Sequence, residues 1–543
     1  MKNLFVLLLS LTISIPVFAQ NTWPAIYVNP LLRSIPENIY EYYDGGYLLL
    51  SVTTNEEGYV MGGWLVKTDA NGEILWQRTL TEPYTDYAWY RMMQPTADSG
   101  TIVTFSTRHA EANPYGTFGD AAYMKLNACG ELDWCKIISL PGRDNFPHDV
   151  VVVNDGYIGL YNNGYDGTTN YDYNANSLIK LDFDGNMIWM YNYDNDTLID
   201  EQLYDLLLLK DSTLLLTGDG TYRDTLLSKY FQKPIRLNID LNGQLINYQV
   251  LNQHEDSIWL VFDNQSSQSA RGTIYTSGQT HHLYNTLRKH KLLNPSPEIF
   301  ILDTNKSYGY RHTWLQDSTI VVSGTSRTNF PFYLWHHELT LVDTLGNVLN
   351  RRRLLEDYMG PLYNVSTTTD NKILAAGKGP ESTYGPGGPS IVFKLTSTLE
   401  DDVYDPTPRS YDYACPGGVE PNGTIGMEEC QIIVNVENLA RLPDMAVLEV
   451  FPNPVHDILQ VRLPEYIVIR SSSQGLNTAL YQSNYQQNSM LQVFDLNGTL
   501  VSEQALTREQ LVAQFDATHW KPGMYLLRLV YKDKTVGSAK VVR

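Results

Sequence analysis

The sequence predicts an all-β chain, an about seven-bladed β-propeller followed by a small antiparallel β-sandwich domain, and two repeating patterns carry the first part of that prediction. One is a hairpin, typified by SLIKLDFDGNMIW from Ser177 to Trp189, that returns as WLVKTDANGEILW from Trp64, YMKLNACGELDW from Tyr123, RLNIDLNGQLIN from Arg236 and LTLVDTLGNVLN from Leu339. Its turn glycines are Gly72, Gly130, Gly185, Gly243 and Gly346, at separations of 58, 55, 58 and 103. The other is a polar turn followed by an apolar run, starting at Asp44, Asp98, Asn154, Lys210, Arg271, Gln316 and Asp370. Seven starts give seven units, and a period of about 50 residues with short turn-bounded strands is that of propeller blades.

The hairpin has a local cause. Leu178, Ile179 and Leu181 are apolar strand residues, Asp182 to Gly185 reverse the chain, and Met187 to Trp189 run back. Glycine supplies the positive φ such turns often need, and the Asp side chain bonds amides two residues on. Continuous apolar runs such as Leu214 to Leu216 and Ile320 to Val322 fit strands covered on both faces. A β-helix repeats over much shorter lengths, and a row of immunoglobulin-like sandwiches needs about 100 residues per unit.

At the N-terminus, Lys2 precedes an apolar core from Leu4 to Ile15 and a small-residue pattern ending at Ala19. This reads as a signal peptide, residues 1–19, cleaved between Ala19 and Gln20. A membrane anchor would want about 20 apolar residues, and Ser10, Thr12, Ser14 and Pro16 interrupt this run. The mature chain is therefore expected to carry no transmembrane anchor. Its 39 Lys+Arg against 60 Asp+Glu give a net charge of −21, which repels phosphate backbones and argues against nucleic-acid binding.

Four cysteines in a chain bound for an oxidising compartment favour disulfides. Cys415 and Cys430 bracket a Gly/Pro/Asn-rich loop and are expected to pair. Cys129 and Cys135 would pair only if the strand folded back, since in a regular hairpin six residues span roughly 20 Å at about 3.3 Å each, against about 4.4 to 6.8 Å between bonded Cα atoms.

The ring is expected over residues 20–402. Its loops are rich in Tyr, Asn, Asp and Gly, and Tyr161, Tyr165, Tyr171 and Tyr173 suggest a sugar-stacking surface, although covering of blade edges explains them better. No catalytic residue can be assigned. His281, His282, His290, His336 and His337 lack the helical spacing of a zinc protease and read as structural. Asp194, Asp196, Asp200 and Glu201 are spaced somewhat like a calcium loop but lack its glycine. No metal or cofactor is predicted. Asp182, like Asp69 and Asp240, reads as a turn former.

From 403 to 444 the pattern gives way to a Pro/Gly-rich, cysteine-bearing linker, with Pro406, Pro408, Pro416, Gly417, Gly418, Pro421 and Gly423. Residues 445–543 form the last domain; from 440 onward there are 10 Lys+Arg and 9 Asp+Glu, so the acidity belongs to the ring and linker. Alternating runs at Ile458 to Leu463, Leu491 to Gly498 and Trp520 to Leu529 are half-buried strands of a sandwich.

The order of Phe451-Pro452-Asn453-Pro454, a strand ending Asp495-Leu496-Asn497-Gly498, then Pro522-Gly523-Met524-Tyr525 and a basic last strand Lys540 to Arg543 resembles the type A sorting domain of the type IX secretion system. The resemblance implies export through the outer membrane of a Bacteroidota-type bacterium by the translocon and sorting machinery, with removal of the domain and release or attachment at the surface. It implies that Pro452, Asn453, Pro454, Gly498, Pro522, Gly523 and Tyr525 are the motif positions. The polar stretch from Ile467 to Met490 is longer than the pattern and reads as a loop. More loosely, the hairpins are similar to those of exported bacterial propellers, a match of architecture alone. Two functions follow: a surface interaction protein whose ring binds a glycan or a protein, which is favoured, or a secreted polysaccharide hydrolase or lyase with residues scattered over the blade loops.

Overall fold

A computed structural model of the protein describes residues 23–29, 32–55, 59–86, 88–107, 119–138, 145–163, 175–193, 200–224, 229–251, 260–280, 285–290, 298–303, 308–327, 335–354, 362–379, 388–433, 446–463, 466–470, 477–481, 489–495, 499–507, 510, 512–531 and 534–543. Seven antiparallel sheets follow one another up to Leu395, six with four successive strands at their heart and the seventh with three. Their first strands are Arg33–Glu41, Ala88–Pro95, Asn145–Val153, Asp200–Leu208, Leu260–Gln268, Tyr308–Gln316 and Leu362–Thr367. The seventh blade borrows its fourth strand from the start of the chain: Ala25–Tyr27 pairs with Ser390–Leu395, Ala25 opposite Val392.

Each sheet packs on the next, because alternate residues of its middle strands face opposite neighbours. Leu48 and Leu50 of blade one meet Val103 and Phe105 of blade two. Leu49 and Trp64, on the other face, meet Leu374 and Val392 of blade seven, which joins the last blade to the first. Equivalent clusters bridge blades two to three, three to four, five to six and six to seven. Between blades four and five the apolar cluster shrinks to Leu209, Leu215 and Ile274. There the buried faces carry Arg236, His290, Thr217 and Thr276 instead.

The repeating turns behave as their sequence dictates. Asp69 Oδ1 accepts the N–H groups of Asn71 and Glu73 at 2.8 and 2.9 Å, and Asp182, Asp240 and Asp343 do the same in their blades. Gly72, Gly130, Gly185, Gly243 and Gly346 take φ between +68° and +86°. Each lies under an aromatic side chain of the preceding blade or, for Gly72, of the N-terminal segment: Trp23, Trp76, Trp134, Tyr191 and Phe300 in turn.

The disulfide pairing expected from sequence is corrected: Cys129 bonds Cys415 and Cys135 bonds Cys430, with Cα atoms 5.6 and 4.5 Å apart. The reason is that residues 403–433 do not span a gap but run as a strap over the first two blades. Asn422–Gly426 adds in parallel to the outer strand Ile74–Asp86 of blade one, and Gln431–Ile433 adds in parallel to Leu132–Ile138 of blade two. With Gln431 opposite Lys136, Cys430 falls opposite Cys135, and the blade-two hairpin stays regular.

Beyond the strap, strands Ala446–Val447, Lys534–Val542, Met524–Tyr531, Ser489–Asp495 and Leu500–Ala505 make one sheet, and Glu449–Phe451, Ile458–Arg462 and Val512–Asp516 a second. Leu459, Val461, Leu491, Val493, Phe515, Leu527 and Leu529 fill the space between them. The stretch read as a loop contains a hairpin, Tyr466–Arg470 paired with Asn477–Tyr481.

Candidate functional site

Every first strand carries a β-bulge at the same level, with register shifts at Pro36/Asn38, Tyr90/Met92, Pro147/Asp149, Leu203/Asp205, Asp263/Gln265, Gly309/His312 and Leu362/Asn364. A bulge pushes one residue out of the ladder and leaves a backbone group unpaired. The extra residues include Glu37, Arg91, His148, Tyr204, Arg311 and Tyr363, which sit half-buried around the axis.

The residues that follow the bulges stitch the blades together. Asp149 Oδ2 accepts the Leu206 N–H of the next blade at 3.1 Å, Asp205 Oδ2 accepts the Ser266 N–H at 2.8 Å, and Gln265 Oε1 accepts the His312 N–H at 2.8 Å. Asp149 Oδ1 takes the Val150 N–H as well. Burial pushes both carboxyls above the usual carboxylate range, and for Asp205 the nearby Asp149 charge adds to the rise; Arg311 and the donated N–H groups oppose it. His148 packs edge-on to Tyr204 at 5.5 Å and is pushed down to about 3 by burial and by the charges of Arg91 and Arg311. His312 is pushed down to about 3 by burial and then by Arg311, and lies between Ser267 Oγ at 2.6 Å and Ser277 Oγ at 3.1 Å.

The axis is crossed at this level. Arg311 of blade six donates from Nη2 to Met92 Sδ of blade two at 3.2 Å, and Asn38 Nδ2 of blade one donates to the same sulfur at 3.3 Å. Sequence reasoning missed this constellation. A signal was present: Asn38, Met92, Asp149, Asp205, Gln265, His312 and Asn364 stand four to six residues before the seven turn starts.

Of the residues singled out from sequence, Tyr161 is buried, its hydroxyl 2.6 Å from Met190 Sδ, while Tyr165, Tyr171 and Tyr173 lie outside the described residues. His290 joins Thr276 Oγ1 at 3.0 Å and Arg236 Nη1 at 2.6 Å. His337 meets the Lys378 carbonyl at 3.1 Å and is pushed down to about 4 by burial, and His336 is buried beside it. Ala19, Gln20, Asp194, Asp196, His281, His282 and Gly498 lie outside the described residues. Glu201 is buried. Among the described residues no group of three His, Cys, Asp or Glu side chains is placed to hold a metal ion, and no helix is long and apolar enough to cross a membrane.

In the last domain the motif residues converge on the final strand. Asn453 donates from Nδ2 to the Lys540 carbonyl and accepts the Val542 N–H, both at 2.9 Å. Gly523 exchanges both backbone hydrogen bonds with Arg543, and Tyr525, buried against Trp520, donates to the Lys521 carbonyl at 2.6 Å. Pro452, Pro454 and Pro522 are exposed.

Residues 449–543 match the family described as the secretion system C-terminal sorting domain, so the resemblance to a type IX sorting domain is borne out and the chain is an exported one. No curated protein matches the chain. Solved structures similar to it include puromycin hydrolase, at 10% identity over 85% of this chain and 68% of that one with a TM-score of 0.43. The β-propeller domain of the trilobed protease from Pyrococcus furiosus is similar at 9% identity over 73% of this chain and 99% of that one, TM-score 0.39. An α-L-arabinanase from Penicillium chrysogenum, complexed with arabinobiose, is similar at 11% identity over 61% and 98%, TM-score 0.37. Likenesses of this order say nothing of activity.

Proposed function

We propose that this exported propeller protein is a binding module, its ring taking up a glycan outside the cell rather than cleaving one. The observation that carries the reading is the state of the axis. Propeller hydrolases would need a free acid and base on an open funnel, with carboxyls about 5 to 10 Å apart around the scissile bond. Among the described residues the two axial carboxyls with raised proton affinity, Asp149 and Asp205, instead accept backbone N–H groups of the following blades, and Arg311 reaches Met92 across the axis beside them. Perturbed titration here has a structural cause, the burial of groups that replace missing ladder bonds.

The experiment is to print neutral and acidic polysaccharides as an array, apply the secreted protein, and assay retention and reducing-end release on the same spots. Retention without release is expected. Release would overturn the reading in favour of a hydrolase or lyase, and a protein captured where no glycan is retained would replace the glycan by a protein ligand.

A further inference from the structure

The strap does more than brace two blades. On the face of the ring where first strands turn into second strands, it borders an open pocket of 480 Å³, within the range of small-ligand sites, about 300 to 1,000 Å³. Blade one contributes Glu41 and Tyr43, blade two Thr96 and Ser99, blade seven Thr369, and the strap Arg409.

These groups are held in place before any ligand arrives. Glu41 accepts the Thr369 N–H at Oε2, 2.6 Å, and its hydroxyl at Oε1, 3.1 Å. Arg409 is anchored through Nη2 to Asp405 Oδ2 at 2.9 Å, while Asp405 is itself held by Asn71. Its Nη1 lies over Gly45, where a Cβ would come within 2.5 Å of it. Tyr43 is wedged between Tyr42, 4.7 Å away, and Tyr413, edge-on at 5.1 Å, next to the Cys129–Cys415 bridge. Preorganised polar groups around a fixed aromatic ring lower the ordering cost of binding.

The charges favour an uncharged ligand. Arg409 is paired with Asp405 and Asp44 with Lys67, while among the described residues Glu41 has no cationic partner, in a chain of net charge −21. A polyanion would meet repulsion on the way in. Carboxylate and hydroxyl acceptors beside a guanidinium donor suit vicinal hydroxyl groups, and a tyrosine suits the apolar face of a pyranose.

We infer that this strap-walled cavity is a seat for the end of a neutral polysaccharide, with Glu41, Ser99 and Arg409 bonding sugar hydroxyls and Tyr43 packing on the ring. The inference rests on the reading of the ring as a glycan-binding module and gives that module a location. Arg409 reaches the pocket from the strap, whose attachment to the ring by the Cys129–Cys415 bridge helps hold it there.

The test titrates the secreted protein with maltose, cellobiose, lactose and digalacturonate, followed by ligand-observed NMR and calorimetry. A neutral disaccharide is expected to bind, and Arg409→Gln and Ser99→Gly to weaken it about five- to tenfold each, the loss of about one hydrogen bond. Ser99→Gly keeps the fold, because Ser99 has φ +67°, a conformation glycine adopts freely. Binding that both variants leave unchanged would overturn the location while leaving the module standing. Preference for digalacturonate would overturn the neutral class. Failure of the array and of every disaccharide would overturn the inference together with the reading beneath it.

Discussion

The indole of Trp76 covers Gly130 of the next blade so closely that a Cβ on that glycine would lie 2.6 Å from the ring. The two most regular features of the repeat, turn glycine and following tryptophan, are thus partners across a blade boundary rather than within one. Trp134 repeats the contact on Gly185 and adds a hydrogen bond from Nε1 to the Phe183 carbonyl at 2.8 Å. Gly130→Ala is expected to cost about 3 kcal/mol, roughly 1–2 from the left-handed backbone and the rest from displacing the indole. Gly418→Ala is the control, since Gly418 has φ +77° with nothing near its Cβ position; it should lose only about 1–2 kcal/mol. Thermal unfolding of the two variants compares them, and equal losses would show that the aromatic contact is worth nothing.

The strap predicts a disulfide map. Non-reducing peptide mapping should recover Cys129 with Cys415 and Cys135 with Cys430, each closing a loop of nearly 300 residues, with sequence separations of 286 and 295. Replacing either pair by serine should cost about 2–5 kcal/mol. Recovery of a Cys415 to Cys430 peptide would refute the parallel strap register.

Lys67 and Asp44 form an ion pair at 2.9 Å with both side chains fully buried. Asp44 also accepts the Gly46 and Asp412 N–H groups, each at 3.0 Å, the second from the strap. Burial lowers the Lys67 pKa and the Asp44 charge opposes that shift. Lys67→Ala strands a buried carboxylate and should destabilise the ring by about 3–5 kcal/mol. Lys67→Met combined with Asp44→Asn should cost less than the sum of the single changes, which a double-mutant cycle by denaturant titration measures.

Stability should peak slightly below neutral pH. His148, His312 and His337 are held below their ordinary value of 6.5, to about 3, 3 and 4. Below 6.5 the unfolded chain therefore binds protons that the native chain refuses, and stability falls as pH falls. Asp149 and Asp205 are raised from 3.8, so from there upward the native chain keeps protons the unfolded one has lost, and stability falls as pH rises through their native values. Thermal melts from pH 4 to 9 follow both limbs. Asp205→Asn, which can still accept the Ser266 N–H, should flatten the upper limb and steepen the lower one, because the opposing slope it removes begins at 3.8; an unchanged upper limb would remove Asp205 as its cause.

Much of the architecture was legible because its determinants are local. An Asp four residues before the end of a turn, with glycine at the left-handed position, is specified within five residues. Among the described turns blade seven departs from this: Leu399 takes that position at φ +70°, and the preceding blade has Asn350 in place of the aromatic, donating to the Thr398 carbonyl at 2.7 Å. Cysteine pairing was not legible, because it depends on a strap arriving almost 300 residues later in parallel register. The axial residues were hidden for a similar reason: Asp149 and Asp205 find their partners, Leu206 and Ser266, one blade further on, and a bulge leaves no mark on hydrophobic periodicity. The sorting domain was readable from Asn453 and Gly523, which bond to the last strand and to Arg543 at its end, and from Tyr525, whose hydroxyl donates to the Lys521 carbonyl of the preceding turn. Its hairpin at 466–481 was missed because the residues around it are polar, and polarity without alternation reads as loop.

The most direct test of the ring as a binder rather than an enzyme is the Asp149→Asn, Asp205→Asn double variant on the polysaccharide array, with capture and reducing-end release measured together. Capture equal to that of the unaltered protein, with no release from either, is the predicted result. Release by the unaltered protein that the double variant abolishes would make these two residues catalytic and contradict the account.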